Sequence, residues 1–224
     1  MKPPIAVFDL DGTLVHTAPD LVASINYALA DHGHSVAGYL ELAPFAGTGG
    51  RGMLKHYSSM RGIAFREPEI VNIISSFLAH YESAMPGNSS AYEGAIEFVR
   101  ALRDEGFKTA ICTNKPQKLA ELLLAKLNIA KHFDAVCGAD YFKFRKPDPR
   151  HLTETIALAG GNSARAIMFG DSQTDFATSN AAQIPVIGVT FGYSPEPLSN
   201  FKITKVISHY SKIDVPAVKA LISA

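Results

Sequence analysis

The chain has 224 residues, 47% hydrophobic and 19% charged, the make-up of an ordinary soluble globular protein long enough for a substantial core or a core with a smaller companion domain. Its 21 basic and 21 acidic residues cancel to a formal net charge of zero, and no basic stripe stands out, so nucleic acid is not an expected partner. Two cysteines, Cys112 and Cys137, fall in apolar runs and suit buried reduced thiols better than a disulfide framework or a metal pair.

Met1-Lys2-Pro3-Pro4 leads directly into the first apolar run; no export segment is read there, and a cytoplasmic location is expected. Ile5-Ala-Val-Phe8 predicts a buried strand. It stops at Asp9-Leu10-Asp11-Gly12-Thr13. An acid directly after a buried strand loses hydration, and it needs a cation or hydrogen bonds in exchange. Two acids that close repel each other, which favours a metal still further.

From Ala18 to His32 the apolar residues Leu21, Ile25, Ala28 and Leu29 recur at helical spacing. Asp20 near the start suits the helix dipole, and Gly33 suits the end. No strand is evident between Val36 and Met85. Short helices are expected around Leu40–Phe45 and Met53–Tyr57, and a clear amphipathic one through Ile70, Ile73, Ile74, Phe77, Leu78 and Tyr81. Pro86-Gly87-Asn88-Ser89-Ser90 reads as a linker. Residues 16–86 are therefore expected to form an all-helical insertion, and residues 1–15 with 87–224 an α/β core.

Strand and helix alternate after the linker. A helix over Ala95–Glu105 stops at Gly106, and Lys108–Cys112 is a strand ending at Thr113-Asn114-Lys115. A helix over Lys118–Leu127, a strand over Phe133–Cys137 and a helix over His151–Ala159 follow. The run Ala164–Phe169, with its strand from Ala166, ends at Gly170-Asp171-Ser172, and Asp175 lies four residues beyond Asp171. Phe176–Pro195 is uncharged and of membrane-like length, but Asn180, Gln183, Pro185, Gly188 and Gly192 make it a helix end, a buried strand (Val186–Val189) and a loop. Val206-Ile207 and Val215–Ile222 close the chain as a short strand and a helix. The alternation predicts a Rossmann-like parallel sheet covered by helices on both faces. Three strands end in chemically capable side chains, and in such sheets ligands bind beyond the carboxyl ends of the strands.

These residues resemble the haloacid dehalogenase superfamily phosphatases that carry a helical cap after the first strand. The motifs are Asp9-x-Asp11-Gly12-Thr13, Thr113-Asn114, Lys146 within Arg145-Lys146-Pro147-Asp148-Pro149, and Gly170-Asp171-Ser172-x-x-Asp175. Within the superfamily, Leu14-Val15, Pro19-Asp20-Leu21, Gly47-x-Gly49 and Gly188–Tyr193 are most similar to the phosphoglycolate phosphatases. These segments also occur in neighbouring pyrophosphatases and sugar-phosphate enzymes. The resemblance implies Asp9 as nucleophile and Asp11 as general acid and base. It implies Thr113, Asn114 and Lys146 on the substrate phosphate. Mg²⁺ would be held by the side chains of Asp9 and Asp171 and by the main-chain carbonyl of Asp11, with Asp175 a further acid that ligates the ion or orients metal-bound water.

Taken singly, several of these residues have plainer uses. Asp175 suits a helix cap, Asn114 a turn, Asp148 the cap of the next helix, and Lys146 a surface position. Arg51, in the glycine-rich stretch Gly47–Gly52, is read as a solvated arginine or as a partner for a substrate carboxylate. That stretch is expected as a loop that closure brings near the leaving group, with hinges near Leu14–Thr17 and Pro86–Ser90. The sequence departs from the family at His16, where an acid is usual, and at Tyr92-Glu93-Gly94, where Tyr-Pro-Gly is common. The expected partner is a small phosphorylated metabolite, with no nucleic acid, no membrane, and a monomer or homodimer. A phosphosugar mutase or a pyrophosphatase of the same superfamily is the alternative; the intact acids disfavour a non-catalytic phosphate binder, and the second aspartate disfavours a dehalogenase.

Overall fold

The computed structural model of the chain describes residues 2–223. β1 (Ile5–Phe8) is buried along its length. The chain then forms β2 (Val15–His16) and enters a helical excursion: α1 (Ala18–Asp31), α2 (Tyr39–Leu42), a 3₁₀ turn (Ala43–Thr48), α3 (Gly49–Arg61) and α4 (Glu67–Ala84). It returns through β3 (Ser90–Ala91) to α5 (Ala95–Asp104), β4 (Lys108–Cys112), α6 (Gln117–Lys126), β5 (Ala135–Cys137) and α7 (Pro149–Leu158). β6 (Ala166–Gly170), α8 (Gln173–Ala181), β7 (Val186–Val189), β8 (Lys205–Ile207) and α9 (Val215–Leu221) complete it.

The main sheet has the order β5-β4-β1-β6-β7-β8, and its strand pairs are parallel. Side chains alternate between its faces, as the pleat requires. Ala6, Phe8, Ile111, Phe169 and Ile187 join a core that holds residues of α5, α6 and α9; Ile5, Val7, Ala110, Met168 and Val186 join the one under α7 and α8. Both faces are thus covered, which is why these strands read as continuous apolar runs. Phe8 and Phe169 stack across β1 and β6 with ring centroids 4.6 Å apart. Cys112 and Cys137 sit opposite each other on β4 and β5, both buried and free. No helix among the described residues is long and apolar enough to cross a membrane.

β1 lies between β4 and β6, so the chain leaves it toward opposite halves of the sheet. At such a switch point ligands bind beyond the carboxyl ends of the strands, and this is the edge at which Asp9, Thr113 and Asp171 emerge.

Two features of the excursion differ from the expectation. The stretch Gly47–Gly52 is not a loop: it is the end of the 3₁₀ turn and the first turn of α3. Gly50 serves packing, since a methyl group on it would lie 2.7 Å from the Phe77 ring of α4. The segments expected as hinges also pair with each other. β2 and β3 form a small antiparallel ladder with His16 opposite Ser90, and two-residue strands carry too little periodicity to be read from sequence.

Asp20 of α1 fastens the return strand. Its carboxylate accepts the Asn88 N–H at 2.9 Å, the Ser89 N–H at 2.7 Å and the Ser89 hydroxyl at 2.5 Å, and it is buried. Asp20→Ala would strip partners from two backbone donors, and leaving such groups unmade is where hydrogen bonds cost most. The expected loss is about 2 kcal/mol in urea unfolding; a value within experimental error of wild type would show that water replaces the carboxylate.

Candidate active site

The turn after β1 is locked by its own backbone. The Leu10 carbonyl accepts the N–H groups of Leu14 and Val15 at 3.0 and 2.9 Å, and the Gly12 N–H donates to Val15 at 2.9 Å. Gly12 has φ +84°, and a methyl group there would lie 2.4 Å from Oδ2 of Asp171. Only glycine lets this turn press against the β6 acid. Asp171 is then fixed from both sides. Thr13 Oγ1 donates to its Oδ1 at 3.2 Å, and the Tyr193 N–H donates to its Oδ2 at 2.7 Å.

Lys146 enters from the loop before α7. Its Nζ donates to Asp9 Oδ1 at 2.7 Å and to Asp175 Oδ1 at 2.5 Å, with only 3% of the side chain exposed. One N–H of the Asn114 amide donates to the Lys146 carbonyl at 2.9 Å, tying the loop after β4 to the lysine's own backbone. Asp175 caps α8, the plainer of the two uses read for it. Its Oδ2 accepts the Ser172 N–H at 3.1 Å and its own N–H donates to Ser172 Oγ at 3.3 Å, the capping box of α8, while its Oδ1 meets Lys146. Asp148 caps α7, accepting the Arg150 N–H.

Carboxylate oxygens of Asp9, Asp171 and Asp175 lie within 4.8 Å of one another, all on buried residues. Three buried acids face one ammonium group, an excess of negative charge that the site must relieve. The Asp9 carboxyl is pushed up to about 6: burial raises it most, Lys146 pulls it down, and Asp175 and Asp11 raise it again. Burial, then Asp9 and Asp175, hold Asp171 well above the usual carboxylate range. Burial alone would lower Lys146, but Asp175 and Asp9 outweigh it and keep the ammonium above its ordinary value. A dry cluster of oxygen donors in charge deficit suits a hard divalent cation such as Mg²⁺.

A carboxyl whose folded pKa lies above its unfolded value binds its proton more tightly in the fold. The stability it confers is complete below its ordinary 3.8 and is lost as pH rises through about 6. A cation competing for the same oxygens stabilises most where those protons have already left. Saturating Mg²⁺ is expected to raise the Tm by several degrees at pH 7.5 and by less than half as much at pH 5. Equal shifts at both pH values would place the ion elsewhere.

The Asp11 side chain stands outside the acid cluster. Both its oxygens face Lys115 Nζ, at 3.0 and 3.1 Å, and the same ammonium donates to the Tyr81 hydroxyl of α4 at 2.9 Å. Sequence reading gives Lys115 no role beyond a polar residue at a strand end, and it reads Tyr81 as helix core. The available signal was position, because Lys115 follows Thr113 at the sheet edge. Thr113 is buried there, its Oγ1 accepting the Lys115 N–H at 3.2 Å.

His16 lies at the ladder joining the helical excursion to the core. The Tyr193 hydroxyl accepts the N–H groups of Thr17 and Ala18 at 2.7 and 2.9 Å and contacts His16 Nδ1 at 2.9 Å. With its lone pairs taken, that hydroxyl has its proton free for the imidazole nitrogen. Burial lowers the His16 pKa, in keeping with a neutral ring. Arg51 lies on the exposed outside of α3, paired with Glu67 at 2.9 Å.

This geometry has known counterparts. A sequence profile of the haloacid dehalogenase-like hydrolases matches residues 6–189. A phosphoglycolate phosphatase of Mesorhizobium japonicum is 44% identical over 226 aligned residues, covering 100% of this chain and 99% of that protein. One from Agrobacterium fabrum is 41% identical, covering 98% and 94%. The crystal structure of a predicted phosphoglycolate phosphatase from Haemophilus somnus superposes with a TM-score of 0.85 at 26% identity, covering 95% of this chain and 96% of that one. With the acid cluster and its lysine at the expected sheet edge, and with phosphatases as its full-length relatives, the chain belongs to the haloacid dehalogenase-like hydrolases and is a phosphatase.

Proposed function

We propose that the chain is a Mg²⁺-dependent phosphatase that hydrolyses a small phosphomonoester, 2-phosphoglycolate in particular, through an aspartyl-phosphate on Asp9. The observation that carries this reading is the Lys146 ammonium seated between Asp9 and Asp175 within the buried acid cluster. The substrate rests on the names of the full-length relatives.

Asp9, the first residue past a rigid strand, is the nucleophile. Attack by its carboxylate on phosphorus divides hydrolysis into two easier transfers. Asp11 protonates the leaving oxygen and then takes a proton from the attacking water. Lys146 holds a phosphate oxygen, and the Thr113 hydroxyl donates to another, with Asn114 beside it. Asp9, Asp171, Asp175 and the Asp11 main-chain carbonyl would hold Mg²⁺, whose charge offsets that of the phosphoryl group and lets two anions meet. Residues 16–86 act as a cap over residues 1–15 and 87–224, closing on the β2–β3 ladder and excluding water.

The test is a phosphate-release panel of 2-phosphoglycolate, pyrophosphate, nucleotides and sugar phosphates, with Mg²⁺ or EDTA. The reading expects release from 2-phosphoglycolate well above the rest, and none in EDTA. Isomerisation of a sugar phosphate without net release would assign a mutase instead; preference for pyrophosphate would keep the mechanism and replace the substrate.

A further inference from the structure

Lys115 is a buried cation that the phosphatase mechanism above does not use. Only 3% of its side chain is exposed, so its charge needs specific partners. It has two, and they come from opposite sides of the active-site cleft. One is the Asp11 carboxylate, met through both oxygens; the other is the Tyr81 hydroxyl on α4. Nζ also lies 4.4 Å from the centre of the Tyr81 ring, where a cation is attracted to the π face. The lysine's backbone is fixed as well: its N–H donates to Thr113 Oγ1 at 3.2 Å, and its carbonyl accepts the Ala139 N–H at 2.9 Å. Tyr81 is itself buried and stacks on Phe77, with ring centroids 6.0 Å apart. A rigid core loop and a rigid helix thus hold one ammonium group, and that group holds Asp11.

We propose that Lys115 is the positioning residue for Asp11, and that Tyr81 seats Lys115 when the helical insertion lies on the core. The proposal rests on the phosphatase reading. In the first transfer a bond forms from the Asp9 carboxylate to phosphorus, and the bond to the leaving oxygen breaks. The Asp11 proton goes to that oxygen, which receives the bonding pair. Asp11 is then a carboxylate, the form whose two oxygens Lys115 grips. The ammonium group therefore stabilises the product of proton donation, the step in which the leaving oxygen takes its proton. Because Tyr81 supplies the third contact, proton transfer is efficient only when α4 is in place over the site.

The consequence is specific to the leaving group. A glycolate alkoxide is a poor leaving group and needs its proton, whereas p-nitrophenolate departs without one. Lys115→Met should lower kcat for 2-phosphoglycolate by about tenfold or more, within the range general acids contribute. It should lower kcat for p-nitrophenyl phosphate by less than about threefold, with little change in either KM. Tyr81→Phe keeps the ring and its packing and loses only the hydroxyl; it should show the same selectivity in a smaller degree, and it decides the matter if Lys115→Met fails to fold. Parallel losses on both substrates, no loss on either, or a raised KM for 2-phosphoglycolate with kcat intact would each overturn the proposal, the last by making Lys115 a contact for the substrate carboxylate. A wild-type enzyme that hydrolyses neither ester would instead remove the phosphatase reading, and this inference with it.

Discussion

Asp9→Asn is expected to abolish phosphate release, with kcat down by roughly 10⁴-fold or more, as when the nucleophile of a covalent mechanism is lost, while the metal-free fold stays at least as stable as wild type. The amide occupies the same space after β1 but is a poor nucleophile. It also removes one of three buried carboxylates that share a single ammonium group. Burial first, and then the neighbouring Asp175 and Asp11, push the wild-type Asp9 carboxyl up to about 6 against the pull of Lys146. Lys146 keeps Asp175 as a partner in the variant, so no charge is orphaned. Phosphate release with single-turnover trapping of the phosphoenzyme, beside thermal unfolding in EDTA, separates the two effects. Turnover near the wild-type level would place the covalent step elsewhere; a large loss of metal-free stability would mean that the acids are better neutralised than their burial implies.

What was legible in the sequence was whatever a short run of neighbours encodes. Apolar runs marked β1, β4, β6 and β7, and the side chains directly after them marked the site. Asp9 and Asp171 could be placed together because parallel strands deliver their carboxyl ends to one edge. Lys146 lies outside any strand and came from family resemblance; its place between Asp9 and Asp175 depends on how the loop before α7 folds back, which no local pattern records. The β2–β3 ladder is too short to show a period. The Gly47–Gly52 stretch misled because glycine serves both loops and close helix contacts, and only the Phe77 ring opposite Gly50 tells them apart. Lys115 was hidden for a further reason. Its partners, Asp11 and Tyr81, come from parts of the chain far apart in sequence, and each looks complete without it.

Lys146→Met is expected to lose activity as fully as Asp9→Asn does, but with the opposite effect on the fold. The lysine is the ammonium group bonded to both Asp9 and Asp175, and its side chain is almost wholly buried. Methionine fills similar space without charge, leaving those two carboxylates and Asp171 facing one another. Breaking a buried ion pair from one side costs about 3–5 kcal/mol, on the order of 10 °C in Tm for a chain of this length. The penalty has a pH signature. Without Lys146, Asp9 loses its main downward pull, and its carboxyl moves higher still above the usual range. Protonation then relieves the repulsion as the solution is acidified, so the gap between variant and wild type should narrow from pH 7.5 to pH 5. Mg²⁺ should narrow it at pH 7.5 too, because a cation among the same oxygens offsets the missing ammonium. Thermal unfolding at both pH values, with EDTA and with Mg²⁺, measures all of this in one series. A deficit equal under all four conditions would mean that the lysine contributes packing alone, and that the acids around it carry no unrelieved charge.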